Sequence, residues 1–191
     1  MKKIIVIGGA GYVGCELVSK LLQKNYLVTV YDLMIYGNNL PENKNLKIIK
    51  GDVRDIVKLK DSLKHQDAVI HLACISNDPS FELNPKLGQE INFDCFEPLV
   101  LAAKENGVKH FIYASSSSVY GLNAKVPFNE TDIIKFQNSP YASSKLCMEN
   151  YANMYTTLYK IPTIGLRFFT VYGPRGRPDM APYKFLNSII N

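Results

Sequence analysis

Short apolar runs alternate along the chain with longer segments of helical periodicity. Six apolar runs predict strands, at Lys3–Ile7, Leu27–Tyr31, Leu46–Ile49, Ala68–Leu72, His110–Ala114 and Thr163–Phe168. Apolar residues spaced three and four positions apart predict helices at Tyr12–Lys24, Ile56–Lys64, Leu87–Asn106 and Tyr141–Tyr159. Because strands that alternate with helices are typical of a parallel sheet, the pattern predicts an α/β protein with a doubly wound parallel sheet and helices on both faces.

The sequence pattern also predicts the loops. Residues 33–45 and 77–85 are polar, and residues 121–140 form a long segment without clear periodicity. The first, second, fourth and fifth strands are nearly continuous apolar runs, as in strands buried on both faces. Folds of this kind place their chemistry in loops at the carboxyl ends of the strands.

Composition narrows the class of protein. The chain has 191 residues, 47% of them hydrophobic, and a net charge of +5 that is not gathered into basic runs. This profile excludes disordered and fibrous proteins and indicates one ordinary globular domain. No segment approaches the roughly 18 consecutive apolar residues of a membrane span, so we expect neither a membrane partner nor a signal peptide. The four cysteines are widely spaced, which predicts reduced thiols in a cytoplasmic protein without a metal site.

A glycine-rich turn follows the first strand. Gly8, Gly9, Gly11 and Gly14 fit both GxGxxG and GxxGxxG, and the turn opens the first helix. A pyrophosphate needs close backbone approach and the free N–H groups of a helix amino terminus. The second strand leads to Asp32, whose carboxylate can accept hydrogen bonds from both ribose hydroxyls and repels a 2′-phosphate. The segment therefore predicts a Rossmann-type site for NAD rather than NADP.

A second acidic position follows the third strand, at Asp52-Val53. An isolated Asp there is usually a turn residue, but its place beside the glycine loop favours contact with the adenine amino group.

A hydroxyl-rich turn and a Tyr–Lys pair come later in the chain. Tyr141 and Lys145 lie four residues apart at a helix start, which places them on one face. A nearby cation can lower the pKa of a tyrosine, about 10 when free, so that it acts as a base near neutral pH. Ser115 to Ser118 follow the fifth strand, where a serine can share a hydrogen bond with the substrate oxygen.

Together these residues resemble the extended short-chain dehydrogenase/reductase family, specifically its NAD-dependent nucleotide-sugar epimerases and dehydratases. The resemblance also rests on His71-Leu72-Ala73, Asn92 and the Arg167 to Pro174 segment, and it covers essentially the whole chain. It implies that Ser116, Tyr141 and Lys145 are catalytic. It further implies a set of NAD-binding residues: Gly8, Gly11, Tyr12, Val13, Gly14, Asp32, Asp52, Val53, Leu72, Ala73, Asn92, Ser115, Tyr141, Lys145 and Phe169.

The second half of the chain is similar to the UDP-glucuronate 4-epimerases. In sugar 4,6-dehydratases an Asp-Glu pair follows the catalytic hydroxyl, whereas this chain has Ser117 and Ser118, so dehydration is not expected. The similarity implies that Ser116, Ser117, Ser118, Thr170 and Arg177 contact the substrate, although Arg177 can equally be a solvated loop cation.

Two features leave substrate and activity open. Residues 75–85 replace a loop that carries a glycine and an arginine in those epimerases. A UDP-glucuronate decarboxylase is the nearest alternative to a 4-epimerase, and an NAD-binding module without turnover is the other. The resemblance implies a UDP-linked nucleotide-sugar substrate, no nucleic-acid partner and a homodimer. We expect an NAD-binding domain over residues 1–175 and the start of a substrate region over 176–191, truncated before most of that domain.

Overall fold

One parallel sheet organises the structure. The computed structural model describes residues 2–122, 126–134, 136–176 and 180–190. Its strands are β1 (Lys3–Ile7), β2 (Leu27–Asp32), β3 (Leu46–Lys50), β4 (Ala68–His71), β5 (His110–Ser116) and β6 (Thr163–Phe168), in the order β3-β2-β1-β4-β5-β6. The strand order reverses beside β1, and such a reversal opens a crevice at the carboxyl ends of β1 and β4. The predicted doubly wound sheet is confirmed, and every predicted strand is found.

Seven α-helices connect or follow these strands in the described ranges. They are α1 (Tyr12–Gln23), α2 (Ile56–Ser62), α3 (Asp78–Leu83), α4 (Pro85–Gln89), α5 (Phe96–Glu105), α6 (Pro140–Tyr159) and α7 (Ala181–Ile190). A π-helical segment, Glu90–Asp94, divides the helix predicted over Leu87–Asn106 into α4 and α5. A 3₁₀ turn, Ser117–Tyr120, follows β5 directly. No helix among the described residues has the length and apolar character needed to cross a membrane.

Helix α3 lies where the sequence predicts only a loop. Its polar composition hides the periodicity, but the side chain of Asn77 accepts a hydrogen bond from the Ser80 N–H at 2.9 Å and caps the helix. The proline in the first turn needs no N–H partner there. The signal for this helix in the sequence is therefore its capping residue and its proline, and not a stripe of apolar residues.

Alternate residues of the strands enter two separate apolar cores. Ile5 and Ile7 face a core built with α2, α5 and α6, whereas Ile4 and Val6 face a smaller core built with α1. The sheet is therefore covered on both faces around β1. The edge strand β6 leaves Ile164 half exposed, and no residue of α7 is buried.

Candidate active site

The glycine turn brings three backbone segments into close contact. Gly8 has φ +81° and its N–H donates to the carbonyl of Tyr31 at 2.8 Å. A β-carbon at Gly8 would lie 2.4 Å from the backbone nitrogen of Ala73, and one at Gly14 would lie 2.5 Å from the carbonyl oxygen of Gly8. Only glycine fits at these two positions, so the turn holds β4 and α1 at backbone contact distance.

The amino terminus of α1 is open to an anion. Its N-cap residue, Gly11, contributes no side-chain hydrogen bond, and the first turn carries no acidic residue. The first N–H groups of a helix have no partner within the helix and carry partial positive charge, which is the arrangement that binds phosphate. Tyr12 and Val13, the first two residues of α1, are partly exposed beside this opening.

Asp32 is held at the other side of the turn. Its two carboxylate oxygens accept hydrogen bonds from the backbone N–H groups of Ala10, at 3.0 Å, and Met34, at 2.7 Å. These bonds connect the end of β2 to the glycine turn and fix the direction of the carboxylate. A carboxylate fixed there fits the ribose of a dinucleotide whose pyrophosphate lies at α1.

Asp52 makes an ion pair. The Arg54 guanidinium donates to its carboxylate at 2.7 Å through Nη2 and at 3.1 Å through Nε, and reaches Glu90 at 3.2 Å through Nη1. The hydrogen bonds from Arg54 hold the pKa of Asp52 below its usual range. The carboxylate is therefore an ionised acceptor, while the Val53 side chain is buried in the core. The adenine contact of this pair of residues stays a prediction.

The end of β4 is held by hydrogen bonds to β1, and the loop that follows it is held by Asn92. The N–H groups of Leu72 and Ala73 both donate to the Ile7 carbonyl, at 2.7 and 3.0 Å. Asn92 is fully buried, and its amide bonds both the N–H and the carbonyl of Ile75, at 2.8 and 2.9 Å. Asn92 thus holds the loop after β4, and its direct contact with NAD stays a prediction.

The three predicted catalytic residues meet at the carboxyl end of β5. Helix α6 begins at Pro140, and its N-cap Ser139 accepts the Ala142 N–H at 3.1 Å. This start places the Tyr141 side chain close enough to Ser116 for the two to interact. One turn later, Lys145 is 1% exposed, and its Nζ donates to the Ala114 carbonyl at 2.9 Å.

The predicted lowering of the Tyr141 pKa by Lys145 is wrong for the protein chain by itself. Burial, together with the nearby Cys74 and Asp78, raises the pKa of Tyr141 to about 12. Hydrogen bonds from Ser116 and from the backbone of Asn77 act in the opposite direction but do not prevail. The Lys145 ammonium instead lies 5.9 Å from the centre of the Tyr141 ring and bonds the Ala114 carbonyl.

Those predicted substrate residues that the structure describes lie at the same end of the sheet. Ser117 and Ser118 are partly exposed in the 3₁₀ turn, and the Ser118 hydroxyl lies 3.1 Å from that of Ser116. Phe169 and Thr170 are exposed just after β6. Arg177 lies outside the described residues, so its predicted contact with the substrate stays a prediction.

A buried ionic cluster beside the catalytic residues escaped the sequence analysis. Glu149 accepts a hydrogen bond from the Ser115 hydroxyl at 2.5 Å and pairs with the Arg167 guanidinium at 2.9 and 2.7 Å. The Ser115 side chain thus binds within the protein, and its predicted contact with NAD stays untested. The spacing of four residues from Lys145 to Glu149 was the available signal, since it places both side chains on one face of α6.

His71 is a buried residue near Lys145. His71, at the end of β4, is 1% exposed, and neither ring nitrogen has a hydrogen-bond partner. Burial, together with the charge of Lys145, lowers the pKa of His71 to about 3, so the ring is neutral at pH 7. Across the described part of the chain, no three His, Cys, Asp or Glu side chains are grouped to hold a metal ion.

Comparison with known proteins agrees with this geometry. Residues 4–191 match the family model described as the NAD dependent epimerase/dehydratase family. UDP-glucuronate 4-epimerase 4 of Arabidopsis thaliana is 36% identical over 98% of this chain and 46% of its own length. The UDP-N-acetylglucosamine 4-epimerase of Methanobrevibacter ruminantium M1, solved with UDP-N-acetylmuramic acid, superposes with a TM-score of 0.91 at 34% identity. That match covers 99% of this chain and 63% of the solved chain.

A third relative carries the cofactor. MoeE5, solved with UDP-glucuronic acid and NAD, superposes with a TM-score of 0.85 at 33% identity, over 97% of this chain and 60% of MoeE5. The chain therefore belongs to the NAD-dependent epimerase/dehydratase family, within the extended short-chain dehydrogenases/reductases, and its cofactor is NAD. It spans 46% to 63% of the length of these three relatives.

Proposed function

We propose that this chain is the NAD-binding and catalytic part of a nucleotide-sugar 4-epimerase. The observation that carries the proposal is the meeting of Ser116, Tyr141 and Lys145 at the carboxyl end of β5, beside an open glycine turn. Ser117 and Ser118 stand where elimination of water would need an acid and a base, which supports epimerisation over dehydration. The described residues fit the dinucleotide because the turn excludes every β-carbon at Gly8 and Gly14.

The proposed chemistry starts with a proton at Tyr141. When bound, NAD supplies the hydride acceptor and a positive ring beside the phenol. Tyr141 then removes the proton from the sugar C4 hydroxyl, and Ser116 holds the same oxygen by a hydrogen bond. Lys145 does not lower the Tyr141 pKa in the chain by itself, so the positive ring of bound NAD would stabilise the phenolate, while Lys145 would hold the nicotinamide ribose. As the hydride would leave C4, the sugar would become a 4-keto intermediate; it would then rotate and take the hydride back on its other face, with Tyr141 returning the proton.

The substrate we propose is UDP-glucuronate or a related UDP-sugar that bears a carboxylate. Three relatives support this class: one named a UDP-glucuronate 4-epimerase and two solved with UDP-N-acetylmuramic acid or UDP-glucuronic acid. Ser117, Ser118 and Thr170 lie at the carboxyl ends of β5 and β6, where they can donate to a sugar carboxylate, and Arg177 is proposed to join them.

We also propose a homodimer in the cytoplasm, with the domain boundary near residue 175. The paired surface would include α6, where Leu158 is 61% exposed and Met154 is 42% exposed. An open pocket of about 530 Å³ lies between α3, α4, the π-helical segment and the start of α6. The four free cysteines are consistent with a reducing compartment.

Product analysis tests this proposal. The protein is incubated with UDP-glucuronate and NAD, and the products are separated by anion exchange and weighed by mass spectrometry. We expect UDP-galacturonate, which has the mass of the substrate. A product lighter by carbon dioxide would establish decarboxylation instead, and absence of any product despite NAD binding would refute catalysis by this chain.

A further inference from the structure

Helix α6 makes three polar contacts with three consecutive residues of β5. Lys145 bonds the Ala114 carbonyl, Glu149 accepts a hydrogen bond from the Ser115 hydroxyl, and Tyr141 interacts with the Ser116 side chain. The three helix residues are four positions apart, so they form a single row along one face of α6. Two of the three contacts belong to the proposed catalytic residues, and the third, at Glu149, has no role in that chemistry.

Arg167 holds Glu149 in place. Its guanidinium donates through Nε and Nη2 to the two carboxylate oxygens of Glu149, a two-point geometry that allows one orientation. Arg167 and Ser115 are direct partners in the β5–β6 register. The side chains of Arg167 and Glu149 are only 17% and 11% exposed. The cluster therefore joins β5, β6 and α6 at the level of the catalytic residues.

The same guanidinium also contacts the 3₁₀ turn and a segment that follows it. Its Cζ lies 4.8 Å from the centre of the Tyr120 ring, and its Nη1 donates to the Glu130 carbonyl at 3.3 Å. Tyr120 ends the turn that carries Ser117 and Ser118. One side chain thus connects the helix of the proposed base to the proposed sugar-binding turn.

We propose that Glu149, clamped by Arg167, is a positioning residue that fixes α6 along β5 so that Tyr141 and Lys145 face Ser116. The inference rests on the proposed function for its kinetic consequence. A buried ion pair is weak evidence for stability, because apolar residues of similar volume often replace it without loss. An apolar pair, however, cannot supply directional hydrogen bonds. The hydrogen bonds between Glu149 and Arg167 set the position of α6.

Two variants separate positioning from stability. Glu149→Gln leaves the Arg167 charge without its partner and is expected to lower both thermal stability and turnover. The double variant Glu149→Met with Arg167→Met removes both charges and keeps similar volume, so its unfolding temperature should return to within about 4 °C of the parent. Glu97→Gln is the matched control, because Glu97 lies on α5 and accepts a 2.6 Å hydrogen bond from Tyr155 of α6.

Turnover of the UDP-sugar is compared with hydrogen–deuterium exchange over residues 141–149. In the double variant we expect kcat and kcat/KM to fall together by about 100-fold, the cost of a misplacement of about 1 Å. Exchange over 141–149 should rise in the double variant and stay at the parent level in Glu97→Gln. Exchange is measured without substrate, so it tests the positioning role even if the parent chain does not turn over. A double variant with parental exchange, or with parental kcat in a chain that turns over, would overturn the proposal.

Discussion

Replacement of Gly8 by alanine tests the glycine turn most sharply. The β-carbon would lie 2.4 Å from the backbone nitrogen of Ala73 and 2.7 Å from its Cα, so backbone has to move. The left-handed conformation at φ +81° costs an L-residue about 1–2 kcal/mol. Displacing packed atoms adds about 1–3 kcal/mol. We therefore expect Gly8→Ala to lower the free energy of unfolding by about 2–5 kcal/mol.

Gly107→Ala provides the matched control. Gly107 also has a positive φ, +70°, but a β-carbon there meets nothing within 4 Å. It precedes β5 at the amino-terminal edge of the sheet, away from the candidate site. The control should lose only the conformational part, about 1–2 kcal/mol.

Urea unfolding and calorimetric titration with NAD measure the two effects. Gly8→Ala should weaken NAD binding by at least about tenfold, since the turn can no longer hold β4 and α1 at contact distance. Gly107→Ala should bind NAD as the parent does. Equal losses of stability in the two variants, or a parental Kd in Gly8→Ala, would refute the steric reasoning.

Three further predictions concern single side chains. Tyr141→Phe should lower kcat by about 10²–10⁴-fold while calorimetry shows NAD binding retained, and full activity would exclude Tyr141 as the base. Asp32→Asn should weaken NAD binding by at least about tenfold, because a hydrogen bond to a charged group contributes about 1.5–3 kcal/mol; an unchanged Kd would remove Asp32 from the ribose site. The third prediction concerns pH. The ordinary histidine pKa is 6.5, whereas that of buried His71 is about 3, so the unfolded chain binds a proton in this window and the folded chain does not. Stability should therefore fall as the pH decreases from 6.5 toward 3, by at most about 1.4 kcal/mol per pH unit from this group. Urea unfolding of His71→Leu at pH 7 and 5 should show a smaller loss than the parent, and an equal loss would contradict the assignment.

The sheet was predictable because its strands are apolar on both faces and their boundaries are marked by glycine and polar residues. Ile5 and Val69 in central strands are completely buried, whereas the edge strands β3 and β6 carry more exposed residues, as their mixed composition indicates. The strand ends shifted by one or two residues. Ser115 and Ser116, predicted as part of a turn, are the last residues of β5, because that strand pairs with β6 up to Phe168.

The glycine turn and the Tyr141–Lys145 pair were predictable because their chemistry depends on local spacing. The Glu149–Arg167 pair joins a residue of α6 to a residue of β6, and only the packing of α6 against the sheet brings them together. The predicted lowering of the Tyr141 pKa was wrong for a similar reason. Spacing shows that an ammonium lies one turn away, but burial and the direction in which Lys145 points are properties of the folded chain.

The most direct test of the proposed reaction uses UDP-glucuronate that carries deuterium at C4. Incubation with the protein and NAD should give UDP-galacturonate with the deuterium still at C4, because the hydride that leaves the carbon returns to its opposite face. Mass spectrometry and NMR of the isolated product report both the label and the configuration. An epimer that has lost deuterium to solvent, or a product that has lost carbon dioxide, would contradict the account.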